Sequence, residues 1–151
     1  MKTYRFAAIG LLAAVLSACA AGGGTTTTTL HVVEHADTDT VRHIGPAAET
    51  DSIGDVLGFG NPVFDADNKN QVGSDNGMCI RTAVGAAWEC IWTVTLSDGQ
   101  MTVEGPFYDT KDSQLAITGG TGAYKDARGQ MTLHARNDKG TEYDFTYEIV
   151  K

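Results

Sequence analysis

The chain has 151 residues, 11 basic and 19 acidic side chains and a formal charge of −8, with 42% hydrophobic residues. Such an acidic balance repels phosphate backbones and anionic bilayer surfaces, which excludes nucleic acid and charge-driven membrane binding. The surplus of acid otherwise reads as solubility.

The N-terminus has the parts of a secretory leader: basic Lys2 and Arg5, an apolar run from Phe6 to Leu16, and small residues before a cysteine. A membrane-spanning helix needs roughly 20 apolar residues, so this shorter run predicts a removable signal peptide over 1–18. Leu16-Ser17-Ala18-Cys19 matches the bacterial lipobox, in which the cysteine is diacylated and becomes the first residue of the mature protein. Each buried methylene of an acyl chain contributes about 0.8 kcal/mol, and two chains hold what one would release. Ala20 stands where an inner-membrane retention signal would have aspartate, which favours the outer membrane, facing the periplasm, or the cell surface. Losing Lys2 and Arg5 with the leader takes two positive charges from −8 and leaves −10.

Ala21 to Thr29, with three glycines followed by five threonines, has no apolar face and predicts a tether, so 19–29 is a lipidated linker and 30–151 one domain. Two cysteines remain after Cys19, an even pair in an oxidising compartment, and a turn centred on Val84-Gly85 sets Cys79 and Cys90 opposite each other on neighbouring strands. A disulfide is expected there. His31 and His35 could share a strand face, but His43 and His134 have no ligand spacing with them, so hydrogen-bonded or solvated histidines are expected and no metal or cofactor.

The domain reads as strands in chain order. Candidates are Leu30 to His35, Asp55 to Phe64, Gly77 to Ala83, Trp88 to Leu96, Met101 to Gly105, Leu115 to Thr118, Gln130 to Ala135, and a last strand in which Tyr143, Phe145, Tyr147 and Ile149 alternate with polar residues. Ser97-Asp98-Gly99-Gln100 and Asn137-Asp138-Lys139-Gly140 are hairpin turns. Gly119-Gly120-Thr121-Gly122 lacks the lysine and helix of a phosphate-binding loop and reads as a tight turn between strands. The expected fold is all-β, an eight-stranded antiparallel barrel, since closure removes exposed edges. Periodicity alone also accommodates a two-sheet sandwich.

The run from Thr102-Val103-Glu104-Gly105-Pro106-Phe107-Tyr108-Asp109 to Leu115-Ala116-Ile117-Thr118-Gly119-Gly120-Thr121-Gly122-Ala123-Tyr124 resembles plant allene oxide cyclases, as do Gly54 to Asn61 and Gly77-Met78-Cys79-Ile80 in the same order. Ala127-Arg128-Gly129 is similar to the dirigent proteins that share this barrel. The resemblance runs from about Asp55 to the end. It implies a barrel that binds a small hydrophobic molecule and steers its isomerisation or cyclisation by positioning and electrostatics, with no cofactor. Weakly, it also implies a homotrimer.

Carried over by position, Glu34 corresponds to the cyclase's buried glutamate, Asn61 to a water-holding asparagine, Cys79 to a cavity cysteine, and Phe59, Trp88 and Phe107 to cavity aromatics. Asp65, Asp109 and Arg128 resemble the charged groups at a dirigent cavity mouth. A strand residue such as Glu34 either enters the barrel or faces solvent, and the three charged residues are equally compatible with surface ion pairs. Ala36 replaces a polar family residue, Gly45-Pro46 matches the family's serine-proline element only loosely, and a bridged Cys79 is no free thiol; these departures argue against allene oxide cyclisation itself. A non-catalytic binding or structural envelope lipoprotein is the competing reading, with a barrel plugged by Trp88, Trp92, Phe107, Tyr143 and Phe145 as its expected signature.

Overall fold

A computed structural model of the chain describes residues 26–45 and 50–150. The leader, Cys19, most of the Gly/Thr tether and Pro46 lie outside the described residues. Nine strands follow in order: β1 (Thr27–His35), β2 (Thr40–Arg42), β3 (Val56–Phe64), β4 (Gln71–Ala83), β5 (Ala87–Leu96), β6 (Gly99–Tyr108), β7 (Ser113–Gly122), β8 (Arg128–Ala135) and β9 (Glu142–Val150). β3 to β9 form an antiparallel meander, β9 pairs with β1 along its whole length, and β1 returns to β3, so eight strands close into a barrel. The short strand β2 adds to the outer end of β3.

The alternation that identifies the strands also fills the interior. Trp88, Cys90, Trp92 and Val94 of β5 point inward while Glu89, Ile91 and Thr93 do not, and Phe145, Tyr147 and Ile149 of β9 do the same. Val32, Met101, Val103, Leu115, Ile117 and Met131 complete one continuous core. Each such side chain contributes about 1.5–3 kcal/mol when fully buried.

Several boundaries differ from the sequence expectation: β6 runs from Gly99 to Tyr108, and the short β2 is an added strand. β1 starts at Thr27, because Thr27, Thr28 and Thr29 find ladder partners in Val150, Ile149 and Glu148. β4 starts at Gln71, six residues before Gly77, through a segment of low strand propensity that is paired on both sides, by β3 and β5. Glycine suits the inward position 77, where a Cβ would collide with the Trp92 Cβ. Gly119 to Gly122 are not a turn; they are the end of β7, paired with Thr102 to Gly99 across a bulge at Thr102/Val103. A Cβ at Gly120 would collide with the carbonyl oxygens of Tyr124 and Gln100, so its glycine serves close backbone approach. The turn itself follows, where Tyr124 N donates to Thr121 O and Ala127 N to Tyr124 O.

Cys79 and Cys90 are directly opposite in the β4–β5 ladder, 4.0 Å apart at Cα, and are joined by a disulfide in the core. Closing a loop with a sequence separation of 11 lowers denatured-state entropy by about 3 kcal/mol. The double variant Cys79→Ala/Cys90→Ala is therefore expected to lose about 3 kcal/mol in a denaturant titration. A loss equal to that produced by adding reductant to the wild type identifies the bridge as the source.

Candidate functional site

The β1–β3 seam that closes the barrel has two residue pairs, Val33↔Phe64 and Glu34↔Val63. Beyond it the chain leaves β1 as the loop Ala36 to Asp39 and then joins β3 again as β2. Asn61 fills the gap. Its side-chain amide donates to Glu34 Oε1 and, at 2.8 Å, to Asp39 Oδ1, while its Oδ1 accepts from the Thr38 amide and hydroxyl, both at 2.9 Å. The Thr38 hydroxyl in turn accepts from Gly60 N at 2.7 Å. One buried side chain thus holds a loop, a strand and a carboxyl together.

Glu34 points into the barrel and is 4% exposed; Asn61 and Asp75 are 1% and 0% exposed. Burial, and then the nearby Asp75, push the Glu34 carboxyl well above its ordinary 4.5, with Asp39 and Asp37 adding to the effect and the Asn61 hydrogen bond opposing it. Asp75 lies directly across the β3–β4 ladder from Asn61. Burial raises it as well, above its ordinary 3.8, and the Asn61 backbone amide offsets this only in part. Tyr143, the β9 partner of Glu34, is pushed up to about 12 by burial and then by Glu34. Burial without a counter-charge thus favours the neutral form of both carboxyls and of the phenol.

Glu34 and Asp39 line a cavity of about 40 Å³ with Leu57, Phe59, the Cys79–Cys90 disulfide, Trp92, Phe107, Leu133, Tyr143 and Phe145. That volume holds a few water molecules at most. Three of these residues, Phe107, Leu133 and Tyr143, also wall a groove of about 570 Å³ between the β6–β7 and β8–β9 turns. Phe107 and Tyr143 stand edge to face at 6.0 Å where the two spaces meet. The groove has the volume of a small-molecule site, and the cavity that shares these three residues carries the acid.

Among the residues expected at the site, Glu34, Asn61, Phe59 and Phe107 come together, and Cys79 lines the cavity as half of a disulfide, not as a thiol. Trp88 packs in the core beneath Arg81, whose guanidinium lies 3.9 Å from the ring centroid. Arg81 also donates to both Asp109 carboxylate oxygens, at 2.9 and 2.7 Å, and to Asp51 Oδ1 at 2.7 Å, so Asp109 is tied into an ion pair at the groove edge. Asp65 is held below the usual carboxylate range by the Lys69 amide and the Asn70 side chain within its own turn. Arg128 is exposed and donates to Ala127 O at 2.7 Å, at the end of β8 remote from the β8–β9 turn that walls the groove. All four histidines are hydrogen-bonded, to Asp144, Asn68, Asp55 and Asp112.

Asp75, Asp39, Thr38 and Tyr143 join the site without having been singled out for it. An acid at an inward position of a strand is a legible signal only once the strand is known to extend that far, and β4 does so through weak strand formers.

Raised carboxyl pKa values act against folding above the ordinary range. As pH rises past about 4, the unfolded chain releases these protons while the fold must keep them or bury charge, so stability falls with pH. Asp75→Asn and Glu34→Gln are expected to raise the unfolding free energy at about pH 8 by roughly 1–3 kcal/mol, with the gain vanishing near about pH 4. Denaturant melts at both pH values measure this; a gain that is the same at both would contradict it.

The barrel has counterparts among known proteins. The chain superposes on a pyocyanin demethylase with a TM-score of 0.66 and 25% identity, over 78% of this chain and 98% of that one. It superposes on a pterocarpan synthase dirigent protein with a TM-score of 0.66 and 18% identity, over 83% and 89% of the two chains. For an exo-specific intermolecular Diels-Alderase the values are 0.67 and 11%, over 85% and 100%. At such identities the last two are likenesses of fold. The model of the allene oxide cyclase family matches residues 25–137, most of the chain, and the protein belongs to that family.

Proposed function

We propose that this protein is an exported barrel, anchored by lipid at Cys19 in the bacterial envelope, that seats a small and mostly apolar molecule and steers its isomerisation or cyclisation. The observation that carries this reading is the buried Glu34 carboxyl on the wall of a small cavity that shares Phe107, Leu133 and Tyr143 with a groove of ligand size. The bulk of the ligand lies in the groove, against Phe107, Tyr108 and Tyr143 within an otherwise mostly polar and charged lining, and its reacting end reaches Glu34. A neutral carboxyl there donates its proton to an oxygen or unsaturated carbon as negative charge develops, and recovers a proton from water afterwards. The shape of the groove sets the product's geometry.

Family membership supports this reading, as do the activities named for the demethylase, pterocarpan synthase and Diels-Alderase barrels, all of which transform small organic molecules. A non-catalytic binding role is favoured by a different observation: Trp88, Trp92 and Phe145 fill the interior so fully that only about 40 Å³ remains beside the acid. Copies of the chain would meet on the outer face of β4 and β5, where Met78, Ile80 and Ile91 are exposed, if the barrel forms a trimer.

Mass spectrometry of small molecules bound to the full chain extracted from its native membrane tests the main reading. One defined apolar compound is expected, converted by the wild type, with turnover falling about 10²–10⁴-fold in Glu34→Gln while binding persists. A compound returned unchanged, at equal affinity for both proteins, establishes the binding role instead; a barrel that takes up no hydrophobic probe sinks both. For the anchor, Cys19→Ser is expected to abolish fatty-acid labelling and release the protein from the membrane fraction, because the acyl chains provide the membrane affinity.

A further inference from the structure

The strand order sorts the two poles of the barrel by what they carry. β1 begins at Thr27, paired with Val150 at the end of β9, and Val150 is paired in turn with Arg128 at the start of β8. Gly122 at the end of β7 pairs with Gly99 at the start of β6, and Leu96 at the end of β5 with Gly73 near the start of β4. The chain therefore enters the barrel at the pole that bears the β3–β4, β5–β6 and β7–β8 turns. The ligand-sized groove lies at the other pole, walled by the β6–β7 and β8–β9 turns and the strand ends beside them. Glu34, next to last in β1, is at the pole of the groove.

The distances separate these poles relative to the anchor. Cys19 and Thr26, the first described residue, are seven positions apart. A chain of that length reaches at most about 25 Å. From Thr27 to Glu34 the strand rises about 23 Å along its own direction, or about 18 Å along the barrel axis at the usual strand tilt. The two turns that wall the groove extend further still. Pressing the groove against a bilayer would draw the linker out to nearly its whole length beside the barrel wall, whereas the entry pole meets the surface at any extension.

The lining of the groove points the same way. Beside its aromatic residues it carries Asp109, Lys111, Asp112, Arg136, Asp138 and Lys139. A mouth that drew lipid directly from a bilayer would set these charges against hydrocarbon, which is costly. Facing water, they stay solvated and can meet polar groups on a ligand.

We propose that the barrel stands on the membrane by the pole at which β1 enters, with the groove at the opposite pole open to the aqueous compartment. The ligand is then a water-borne molecule with polar substituents on its apolar body, not a lipid taken from the bilayer. The inference rests on the lipid anchor at Cys19 and on the groove as the ligand site, and it requires no turnover, so the orientation can fail while the anchor stands.

The experiment measures the height of each pole above the bilayer in the full, lipidated chain. Ser97→Cys places a thiol in the β5–β6 turn of the entry pole, and Asp138→Cys places one in the β8–β9 turn at the groove; both positions are exposed. With Cys19 acylated and Cys79 bridged to Cys90, the introduced thiol takes a donor dye. Each labelled protein is reconstituted into vesicles of phosphatidylethanolamine and phosphatidylglycerol that contain a rhodamine-headgroup lipid as acceptor. Energy transfer is expected to be at least about twofold stronger from Ser97→Cys, because the poles differ in height by about 18 Å or more. In protein that floats with the vesicles, equal transfer from the two sites, or stronger transfer from Asp138→Cys, overturns the orientation and leaves the anchor intact. Protein that does not float overturns both. Lys125→Cys and Lys139→Cys, exposed in the β7–β8 and β8–β9 turns, give the same comparison if either first variant fails to fold. A phospholipid bound one to one to the membrane-extracted wild type in native mass spectrometry overturns the assignment of the ligand.

Discussion

Two backbone pairs between β1 and β3 are a short seam for closing an eight-stranded barrel, and the side chain of Asn61 completes it. Its amide has two donors and an acceptor with room for two bonds, and every one is used, toward Glu34, Asp39 and Thr38. Aspartate at that position would lose both donors and add another acid beside Glu34, Asp37, Asp39 and Asp75. Because Asn61 sits between the closing strands, the element that closes the fold is also the one that orients the acid.

The same economy of polar groups divides the acids into two kinds. Asp55, Asp65 and Asp109 meet amides, a histidine or an arginine, and each has a place in a turn, loop or ion pair. Glu34 and Asp75 face other acids across an apolar interior. Asp55 shows that burial alone does not keep an acid neutral: burial works against its charge, yet the Ile44 and Ser52 amides and His43 hold it below the usual range. What separates it from Asp75 is the supply of donors, which is a property of the loop between β2 and β3.

The interior also limits what chemistry the barrel can hold. With Trp92 packed between Phe59 and Phe145, at 6.1 and 5.6 Å, a bulky molecule has no space inside without rearrangement. The groove between the β6–β7 and β8–β9 turns is the larger space, and Phe107, Leu133 and Tyr143 wall both it and the small interior cavity.

The alternating patterns of β5, β8 and β9 were legible residue by residue, because burial of one face of a strand imposes a period of two on the sequence. The Cys79–Cys90 pairing was legible too, since a hairpin register follows from its turn. The short seam, the membership of Asp75 in the site and the end of β7 at Gly122 were not. Each depends on partners distant in sequence: Gly-rich and Asp-rich segments become strands only when ladders form on both sides, and an inward acid becomes unusual only when the opposite wall supplies no donor. Local pattern determined which residues face inward, and closure of the barrel decided which of those residues meet.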